Sequence, residues 1–225
     1  MDVSLFQDKN IRFIMRRICV VLVLIMLVSY SCFAQSKVSK EEQGKMIQAI
    51  EKAVSTLRSM HCSFRQEKVI GLLNEKVVSV GTMDYCQPTK LRWQYNKPYT
   101  YTFVINGNKV MIKSSNQKNI IDARQSKVFK EVPRIMVNSI TGKCLTDRKQ
   151  FNVTMYDNNT EWIAIMVPMT KELKSMFKTI KLHIAPKKGL VNRVVLTEKS
   201  NDVTTIYLSD YKTNVKIDEK VFSVN

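Results

Sequence analysis

The chain has few of the residues from which active sites and metal sites are usually built. Its 225 residues include two histidines, six glycines and five prolines. It contains no Gly-x-Ser-x-Gly nucleophile motif, no His-Glu-x-x-His zinc motif and no glycine-rich loop that could bind a phosphate. Hydrolytic, zinc-dependent and nucleotide-dependent enzymes are therefore disfavoured. We predict a protein that is not an enzyme, with no catalytic residue, no metal ligand and no cofactor.

Cysteine is also scarce and irregularly spaced. Beyond the N-terminal segment the cysteines are Cys62, Cys86 and Cys144, with no Cys-x-x-Cys pair. This pattern argues against a disulfide framework and favours small buried residues, although a single bridge stays open. His61-Cys62 is the one adjacency of a base and a nucleophile. Neighbours in an extended strand point to opposite faces, so these two residues cannot form a catalytic dyad.

Long apolar runs are absent except near the N-terminus. Residues 18–28 are apolar and follow a segment with three arginines. The run is short for a membrane span of about 20 residues but suits the core of a signal peptide. We predict that residues 1–34 are a signal peptide, cleaved before Gln35, and that residues 35–225 form one exported domain.

The leader leaves two alternatives open. Translation from Met15 instead of Met1 would give a leader of more ordinary length. Cys32 could carry a lipid that tethers the mature chain to a membrane. Ser29 stands three residues before it, where a lipidation site normally has a leucine-like residue. A chain soluble in the periplasm is favoured, and a lipidated one is the alternative.

Acidic residues are few, so the formal net charge is +17. Lysines are scattered among strand-like segments, and export would remove the chain from DNA, so nucleic acid is not predicted as a partner. Anionic phospholipid and lipopolysaccharide head groups are the expected anionic partners outside the inner membrane, with an attraction that salt weakens. A charge that only keeps the protein soluble is the alternative.

Two helices are predicted. Ser39-Lys40-Glu41-Glu42 is a capping box, in which the serine and the glutamate three residues later satisfy free amides at a helix start. A second, short helix is predicted between Pro133 and Gly142, because proline favours the start of a helix and glycine its end. The first helix carries an apolar stripe at helical spacing, formed by Met46, Ile47, Ile50, Val54 and Leu57.

From Cys62 onward, short alternating or apolar runs between turn residues predict an antiparallel meander. The Asn106-Gly107 pair favours positive φ and predicts a tight hairpin. The predicted strands are Cys62–Val69, Glu75–Tyr85, Lys90–Tyr95, Tyr99–Asn106, Lys109–Ser114, Ile120–Ala123, Lys127–Lys130, Phe151–Tyr156, Glu161–Val167, Thr179–Ala185, Val191–Lys199, Val203–Lys212 and Val221–Val224.

Both side-chain phases of several strands are apolar, for example Val78 and Val80 against Val77 and Met83. Such strands need two buried faces. A curled sheet around an apolar interior, with amphipathic helices across its opening, provides them. We therefore predict a mainly β (α+β) fold: an unclosed antiparallel β-barrel or strongly curved sheet with an α-helical lid over an apolar cavity.

One stretch resembles a known family. Residues 81–98, GTMDYCQPTKLRWQYNKP, hold a glycine, an Asp-aromatic strand, a proline turn and a Trp-containing strand in the order found in the periplasmic lipoprotein carrier proteins (LolA). Upstream, the family's His-x-Ser-Phe-x-Gln motif is matched by His61, Ser63, Phe64 and Gln66. The later strands also follow the family's order. The resemblance implies the family's unclosed barrel with a helical lid.

The resemblance also implies a function. Such carriers shield the acyl chains of lipoproteins in a hydrophobic cavity and move them through the periplasm from the inner to the outer membrane. The implied partners are acylated lipoproteins, an inner-membrane lipoprotein-releasing transporter and an outer-membrane acceptor, and a monomer is expected. The alternatives are a membrane-tethered receptor of the same fold, lipidated at Cys32, and a related carrier or sensor of another lipid or amphiphile.

Cavity-lining residues are predicted from strand alternation together with the resemblance. Leu91, Trp93 and Tyr95 share one strand face, and the matching positions line the cavity in the resembling family. An ordinary core beneath a helix is the alternative for each lining residue. The further predicted lining residues, the last three from the lid, are Val104, Met111, Ile135, Met136 and Ile140.

Gln87 is the position where the chain departs from the family pattern. Carriers of this type typically have arginine before the hairpin proline, and that arginine holds the lid by reaching backbone carbonyls of its helices. Here glutamine precedes Pro88. A neutral amide binds carbonyls less strongly than a guanidinium does, so the resemblance implies a weakened lid latch at Gln87.

Overall fold

Antiparallel pairing organises most of the chain. The computed structural model describes residues 36–73, 75–125 and 135–224, of residue 125 only the backbone. The predicted signal peptide, Cys32 and the predicted strand Lys127–Lys130 lie outside these residues. Within them, twelve strands form one sheet: β1 (Ser36–Lys37), β2 (Ser59–Ile70), β3 (Glu75–Cys86), β4 (Lys90–Lys97), β5 (Tyr101–Asn106), β6 (Lys109–Ser114), β7 (Lys118–Asp122), β8 (Phe151–Asp157), β9 (Trp162–Pro168), β10 (Phe177–Ala185), β11 (Leu190–Glu198) and β12 (Val203–Thr213).

The sheet joins two meanders and does not close. Its strand order is β1-β8-β9-β10-β11-β12-β2-β3-β4-β5-β6-β7, and each neighbouring pair is antiparallel. The meanders meet where β12 pairs with β2, with Leu208 opposite Phe64. Register shifts between Ser209 and Lys212 and between Val80 and Gly81 mark irregularities of the kind that bend a strand. The predicted mainly β, unclosed architecture is confirmed.

The strand predictions within the described residues agree with the structure except at the two ends of the domain. Strand β1 has only two residues, too few for a pattern, and was not predicted. The predicted strand Val221–Val224 is wrong, because a 3-10 helix spans Glu219–Phe222. The Asp218 carboxylate caps that helix by accepting from the Lys220 N–H at 3.0 Å. Phe222, in this helix, is fully buried.

Helix α1 (Lys40–Ser55) begins at the predicted capping box. The Ser39 Oγ accepts from the Glu42 N–H at 3.1 Å, and the Glu42 carboxylate accepts from the Ser39 N–H at 3.3 Å. These two bonds satisfy amides that a helix start leaves free. The predicted apolar stripe is buried, at Met46, Ile47, Ile50, Val54 and Leu57.

We expect Ser39→Ala to lower the free energy of unfolding by about 1 kcal/mol, because alanine cannot accept the Glu42 N–H bond. Urea unfolding of the two proteins measures this difference. Glu42→Gln is the matched control, since glutamine can still close a capping box and should cost less. An unfolding midpoint unchanged by Ser39→Ala would show that the cap does not stabilise the domain.

A second helix lies where the sequence predicts the lid. Residues 135–140 are helical and are called α2 here, whereas Pro133 lies outside the described residues. The predicted end at Gly142 is confirmed, since this glycine has φ of +68°. The hydroxyl of Thr141 donates to the Val137 carbonyl at 2.8 Å just after the last residue of α2. Helix α3 (Lys171–Met176), capped by Thr170, was not predicted.

A helix needs about 20 predominantly apolar residues to cross a bilayer. None of the helices in residues 36–73, 75–125 and 135–224 is long and apolar enough to cross a membrane.

The helices cover one face of the sheet, called the inner face here. Beneath α1, cluster one joins the helix to β8–β11 and includes Met155, Met166, Ile180 and Leu182. Cluster two lies on β2–β5 and includes Phe64, Met83, Leu91 and Trp93. Helix α2 contacts both clusters, because Ile135 belongs to cluster one and Val137 and Ile140 belong to cluster two. The lid therefore spans the junction between the two halves of the core.

Candidate functional site

An apolar cavity of about 200 Å³ lies between the inner face and α2. It sits at the junction of the two clusters: Val194 and Ile135 of its wall belong to cluster one, and Trp93 and Ile140 belong to cluster two. Its wall is formed by Gln66, Trp93, Ile135, Met136, Ser139, Ile140, Phe177, Val194, Leu196, Thr204, Ile206 and Leu208. Most of these side chains are hydrocarbon, so the cavity suits an apolar guest.

The predicted lid residues all reach the cavity. Ile135, Met136 and Ile140 lie in its wall. Ile135 and Ile140 are buried, and Met136 is half-buried. Residues four positions apart lie on the same face of a helix, which places Met136 and Ile140 together on the side that faces the sheet. The lid interpretation of the segment that follows Pro133 is consistent with these positions.

The predicted residues of β4 divide into one wall residue and two neighbours. Trp93 lines the cavity and stacks on Phe64 with ring centroids 4.2 Å apart. Leu91 is fully buried in cluster two, and Tyr95 packs against that cluster. The Tyr95 hydroxyl donates to the Gln66 Oε1 at 2.9 Å. Leu91 and Tyr95 therefore support the wall without forming it.

Tyr95 is half-buried, and its hydroxyl lies beside the side chains of Trp93 and Gln66. Burial raises the pKa of Tyr95, and the neighbouring Trp93 and Gln66 side chains lower it to a smaller extent. The phenol stays neutral near pH 7 and acts as the donor to Gln66. Phe64, Trp93 and Tyr95 form one aromatic group, in which Trp93 lines the cavity.

Val104 and Met111 do not line the cavity, which corrects their prediction. Residues opposite each other in an antiparallel pair share a face. Trp93 is opposite Phe103, whereas Val104 is opposite Arg92 and Met111. Val104 and Met111 therefore lie on the outer face, where they form a third cluster with Phe222 and Val224.

The prediction missed the wall residues supplied by the second meander. Phe177, Val194, Leu196, Ile206 and Leu208 lie on β10, β11 and β12. Strand β11 reads Leu-Val-Asn-Arg-Val-Val-Leu, so apolar side chains occupy both phases and alternation alone does not identify the inner face. Pairing with Ile180, which is buried in cluster one, identifies Leu196 as inward-facing.

Gln87 is exposed in the turn between β3 and β4. Its backbone N–H donates to the Arg58 carbonyl at 2.9 Å, which places the turn beside the segment that follows α1. Among the residues the structure describes, no hydrogen bond of the Gln87 side chain to α2 is found. The latch role therefore stays a prediction.

We expect Gln87→Arg to slow hydrogen exchange of amides 135–142 about fivefold in the empty protein, because a charge-assisted bond to a carbonyl is about 1 kcal/mol stronger than a neutral one. Gln87→Leu is the control and should change little. Unchanged protection in the arginine variant would show that position 87 does not act on the lid.

Charged side chains near the sheet are paired on its outer face. Asp84 accepts from Arg92 at 3.2 Å, and its other oxygen lies 2.7 Å from the His61 Nδ1. On the opposite half of the sheet, Glu161 lies 2.8 Å from the His183 Nδ1 and accepts from Arg193 at 2.9 Å. In the described ranges no group of three or more potential ligands could hold a metal ion.

The geometry also separates His61 from Cys62. The His61 ring pairs with Asp84 on the outer face, while Cys62 is fully buried in cluster two on the inner face. Burial, helped by the charges of Asp84 and Asp210, raises the pKa of the Cys62 thiol to about 12. A thiol with that pKa is protonated near neutral pH and is a poor nucleophile.

Comparison with known proteins identifies relatives. A family model described as outer membrane lipoprotein carrier protein LolA matches residues 55–225, which include every strand from β2 to β12. An outer-membrane lipoprotein carrier protein of Francisella tularensis subsp. novicida is 25% identical over 169 residues, covering 75% of this chain and 78% of the relative. One from Methylococcus capsulatus is 22% identical over 205 residues, covering 89% and 90%.

Solved structures also align with this chain. A LolA superfamily protein from Nitrosomonas europaea aligns with a TM-score of 0.45 at 7% identity and covers 80% of this chain and 97% of that one. The lipoprotein LppX of Mycobacterium tuberculosis aligns with a TM-score of 0.44 at 14% identity and covers 80% and 100%.

Proposed function

We propose, from the premise that this chain belongs to the outer membrane lipoprotein carrier protein (LolA) family, that it carries lipoproteins between membranes with their acyl chains sheltered under α2. The observation that carries the proposal is the apolar cavity between the unclosed sheet and the lid helix. Its wall combines Trp93 of the first meander with Leu196 and Ile206 of the second. An acyl chain placed there would contact mainly apolar side chains.

The need for such a shelter follows from the chemistry of the cargo. Each methylene group removed from water is worth about 0.8 kcal/mol, so two or three long acyl chains carry a penalty of tens of kcal/mol when they are exposed. A lipoprotein therefore does not leave a membrane freely. A carrier lowers this penalty by substituting an apolar wall for the bilayer interior.

The cavity must widen to hold such a cargo. An apolar cavity of about 150 Å³ accommodates one benzene molecule, and pockets for drug-sized ligands start at about 300 Å³. At about 200 Å³, the cavity is too small for a pair of long acyl chains. Loading would therefore require movement of the wall.

Helix α2 is the part of the wall that can move at the lowest cost. It contacts the sheet through side chains such as Ile135, Val137 and Ile140. The strands beneath it are held by backbone hydrogen bonds to their neighbours. Displacing the helix exchanges one set of apolar contacts for contacts with an acyl chain, whereas opening the sheet would break backbone hydrogen bonds.

The proposed route combines the leader with the family's role. Residues 1–34 would direct export, and residues 35–225 would act as a soluble carrier domain in the periplasm. A lipoprotein-releasing transporter of the inner membrane would supply the cargo, and an acceptor in the outer membrane would receive it. Intact-mass measurement of the exported chain tests this route. Acyl groups on Cys32 would instead support a membrane-tethered receptor of the same fold.

A release assay tests the carrier function itself. Donor vesicles that contain a triacylated lipopeptide are incubated with the purified chain and then sedimented. The proposal predicts lipopeptide in the supernatant as a one-to-one complex with the protein. If the lipopeptide stays with the vesicles while a phospholipid or a free fatty acid is extracted, the chain carries a different amphiphile.

A further inference from the structure

Two adjacent leucines, called the leucine tip here, are exposed in the turn that follows β2. Leu72 leaves 94% of its surface exposed and Leu73 leaves 65%. Turns between strands usually carry glycine, proline, asparagine, aspartate or serine, which suit turn geometry and contact with water. Two leucines at this position bury almost nothing in the core, so their apolar surface is available to something outside the domain.

The turn that carries the leucine tip is held by hydrogen bonds at its base. The Gly71 N–H donates to the Asp202 carboxylate at 3.1 Å, and the Leu73 N–H donates to the Ile70 carbonyl at 3.2 Å. The other oxygen of Asp202 lies 3.8 Å from the Lys68 ammonium group. The structure therefore presents the two leucines on a fixed turn beside the β11–β12 connection.

The hairpin below the tip also exposes apolar side chains on both of its faces. The pairing of β4 with β3 begins at Val80, opposite Lys97, so the earlier residues of β3 lie beyond the last paired residue of β4. Val77 and Val78 are in this part of β3, and each is 39% exposed. Apolar residues in both phases of β3 predict two buried faces, whereas here the domain itself covers neither valine fully.

Exposed lysines lie at the same end of the sheet as the leucine tip. The Lys199 N–H donates to the Met176 carbonyl at 3.0 Å, which joins the β11–β12 turn to the end of α3. Glu75 and Glu172 are the acidic residues of β3 and α3 at this end. The exposed lysines of α3 and of the neighbouring strand ends are more numerous: Lys97, Lys171, Lys174, Lys178 and Lys199.

Residues of the cavity wall stand at the strand ends beside the leucine tip. Phe177 is the first residue of β10 and directly follows α3, and Thr204 is the second residue of β12. Both line the cavity. A surface that docks at this end of the sheet would therefore lie close to the cavity.

We propose that the leucine tip inserts into an anionic lipid bilayer while the lysines contact its head groups. Apolar side chains flanked by positive charge match such a bilayer, in which negative head groups cover the acyl chains. Insertion of a few side chains buries little area, so the contact is reversible. The inference goes beyond the proposed carriage of lipoproteins, because it assigns a membrane-docking surface that would serve any cargo taken from a bilayer.

The experiment measures how much of the exported protein sediments with vesicles of phosphatidylglycerol and phosphatidylcholine. The test variant combines Leu72→Ser with Leu73→Ser, which removes apolar surface and adds no charge. Ile120→Ser is the matched control, since Ile120 is a 51% exposed apolar residue of β7. Thermal melting checks that each variant keeps its fold.

We expect the double serine variant to bind anionic vesicles at least about tenfold more weakly than the wild type, because it loses the burial of two leucines in lipid. The control should stay within about twofold. Raising the salt concentration from about 0.1 M to about 1 M should weaken wild-type binding at least about fivefold, since the Debye length falls from about 10 Å to 3 Å. Vesicles of phosphatidylcholine alone should also bind more weakly.

A tryptophan at the tip reports insertion directly. The emission of Leu72→Trp should move to shorter wavelength when anionic vesicles are added, because the indole leaves water for lipid. Ile120→Trp should show no such shift. An unshifted emission of Leu72→Trp on bound protein would contradict insertion of the tip.

Equal vesicle binding of the double serine variant and the wild type would overturn the inference, because charge alone would then hold the protein on the bilayer. Absence of wild-type binding to anionic vesicles would overturn it as well and would leave a protein partner to cover the leucines. A wild type that binds lipopeptide in solution but no vesicles keeps the carrier function without this inference. A wild type that binds vesicles but no lipopeptide keeps the inference and overturns the carrier function.

Discussion

Gly81→Ala should destabilise the domain by about 3 kcal/mol or more, one of the two largest effects we expect. A Cβ added at Gly81 would lie 1.9 Å from the Gln94 carbonyl oxygen and 2.7 Å from the Phe64 ring. Neither neighbour can retreat easily, since one is the backbone of β4 and the other is stacked on Trp93. Forced overpacking of this kind typically costs 1–3 kcal/mol and sometimes more.

Gly44→Ala is the matched control for this prediction. Gly44 lies inside α1, and a Cβ added there would meet no atom within 4 Å. Alanine should stabilise the helix by about 0.5–1 kcal/mol because it is the better helix former. Unfolding in guanidinium chloride measures the change in the free energy of unfolding for each of the two variants. Similar changes in the free energy of unfolding for Gly81→Ala and Gly44→Ala would show that the close approach of β4 to β3 does not require glycine at position 81.

Leu196→Glu should abolish binding of acylated lipopeptide, with a loss of at least about 100-fold, or 2.7 kcal/mol. The side chain of Leu196 lies in the cavity wall. A carboxylate there either loses its hydration when an acyl chain enters or draws water into the cavity, and both oppose burial of the chain. Titration with a fluorescent lipopeptide measures the loss.

Val195→Glu is the control on the same strand. Val195 is half-buried like Leu196 but lies on the outer face, opposite Lys181 and Thr205. A carboxylate beside Lys181 should be tolerated, and binding should stay within about twofold of the wild type. Thermal melting of both variants confirms that they fold. Equal loss of binding in the two variants, or none in Leu196→Glu, would place the cargo elsewhere.

Local signals in the sequence were sufficient to predict most of the fold. Ser39 and Glu42 form the expected capping box, and Gly107 adopts the positive φ of a tight hairpin between β5 and β6. Each of these features depends on a few neighbouring residues whose geometry allows little choice. Pairing within each half of the sheet could also be anticipated, because consecutive strands of a meander pair with each other, whereas the pairing of β12 with β2 was not predicted.

The cavity wall was harder to predict because it depends on which face of each strand is covered. Strand β5 carries Phe103, Val104 and Ile105 in a row, so its apolar residues do not reveal the inner face. A small apolar cluster with Phe222 covers Val104 from outside, and this contact joins residues far apart in the chain. The alternation of apolar and polar residues along one strand cannot reveal such a contact. For the same reason the prediction overlooked the wall residues of the second meander.

The position of the lid helix along the chain was predicted, but the residues that it contacts were not. Pro133 and Gly142 delimit the segment in the sequence, whereas the match of Ile135 with one cluster and Ile140 with the other exists only in three dimensions. A serine in a short helix gives no sign in the sequence that it lies in the wall of a cavity, as Ser139 does.

Whether acyl chains occupy the cavity beneath α2 can be measured directly with the two tryptophans of the chain. Trp93 lines the cavity, whereas Trp162 packs against cluster one outside it. Trp162→Phe and Trp93→Phe each leave one tryptophan as a fluorescent reporter. A lipopeptide with bromine atoms along its acyl chains quenches an indole that it contacts.

We expect the brominated lipopeptide to quench more than half of the emission of Trp93 in the Trp162→Phe protein. It should quench little of the emission of Trp162 in the Trp93→Phe protein. An unbrominated lipopeptide should quench neither. Saturable binding that leaves Trp93 unquenched, or that quenches Trp162 as strongly, would contradict the claim that acyl chains lie in this cavity.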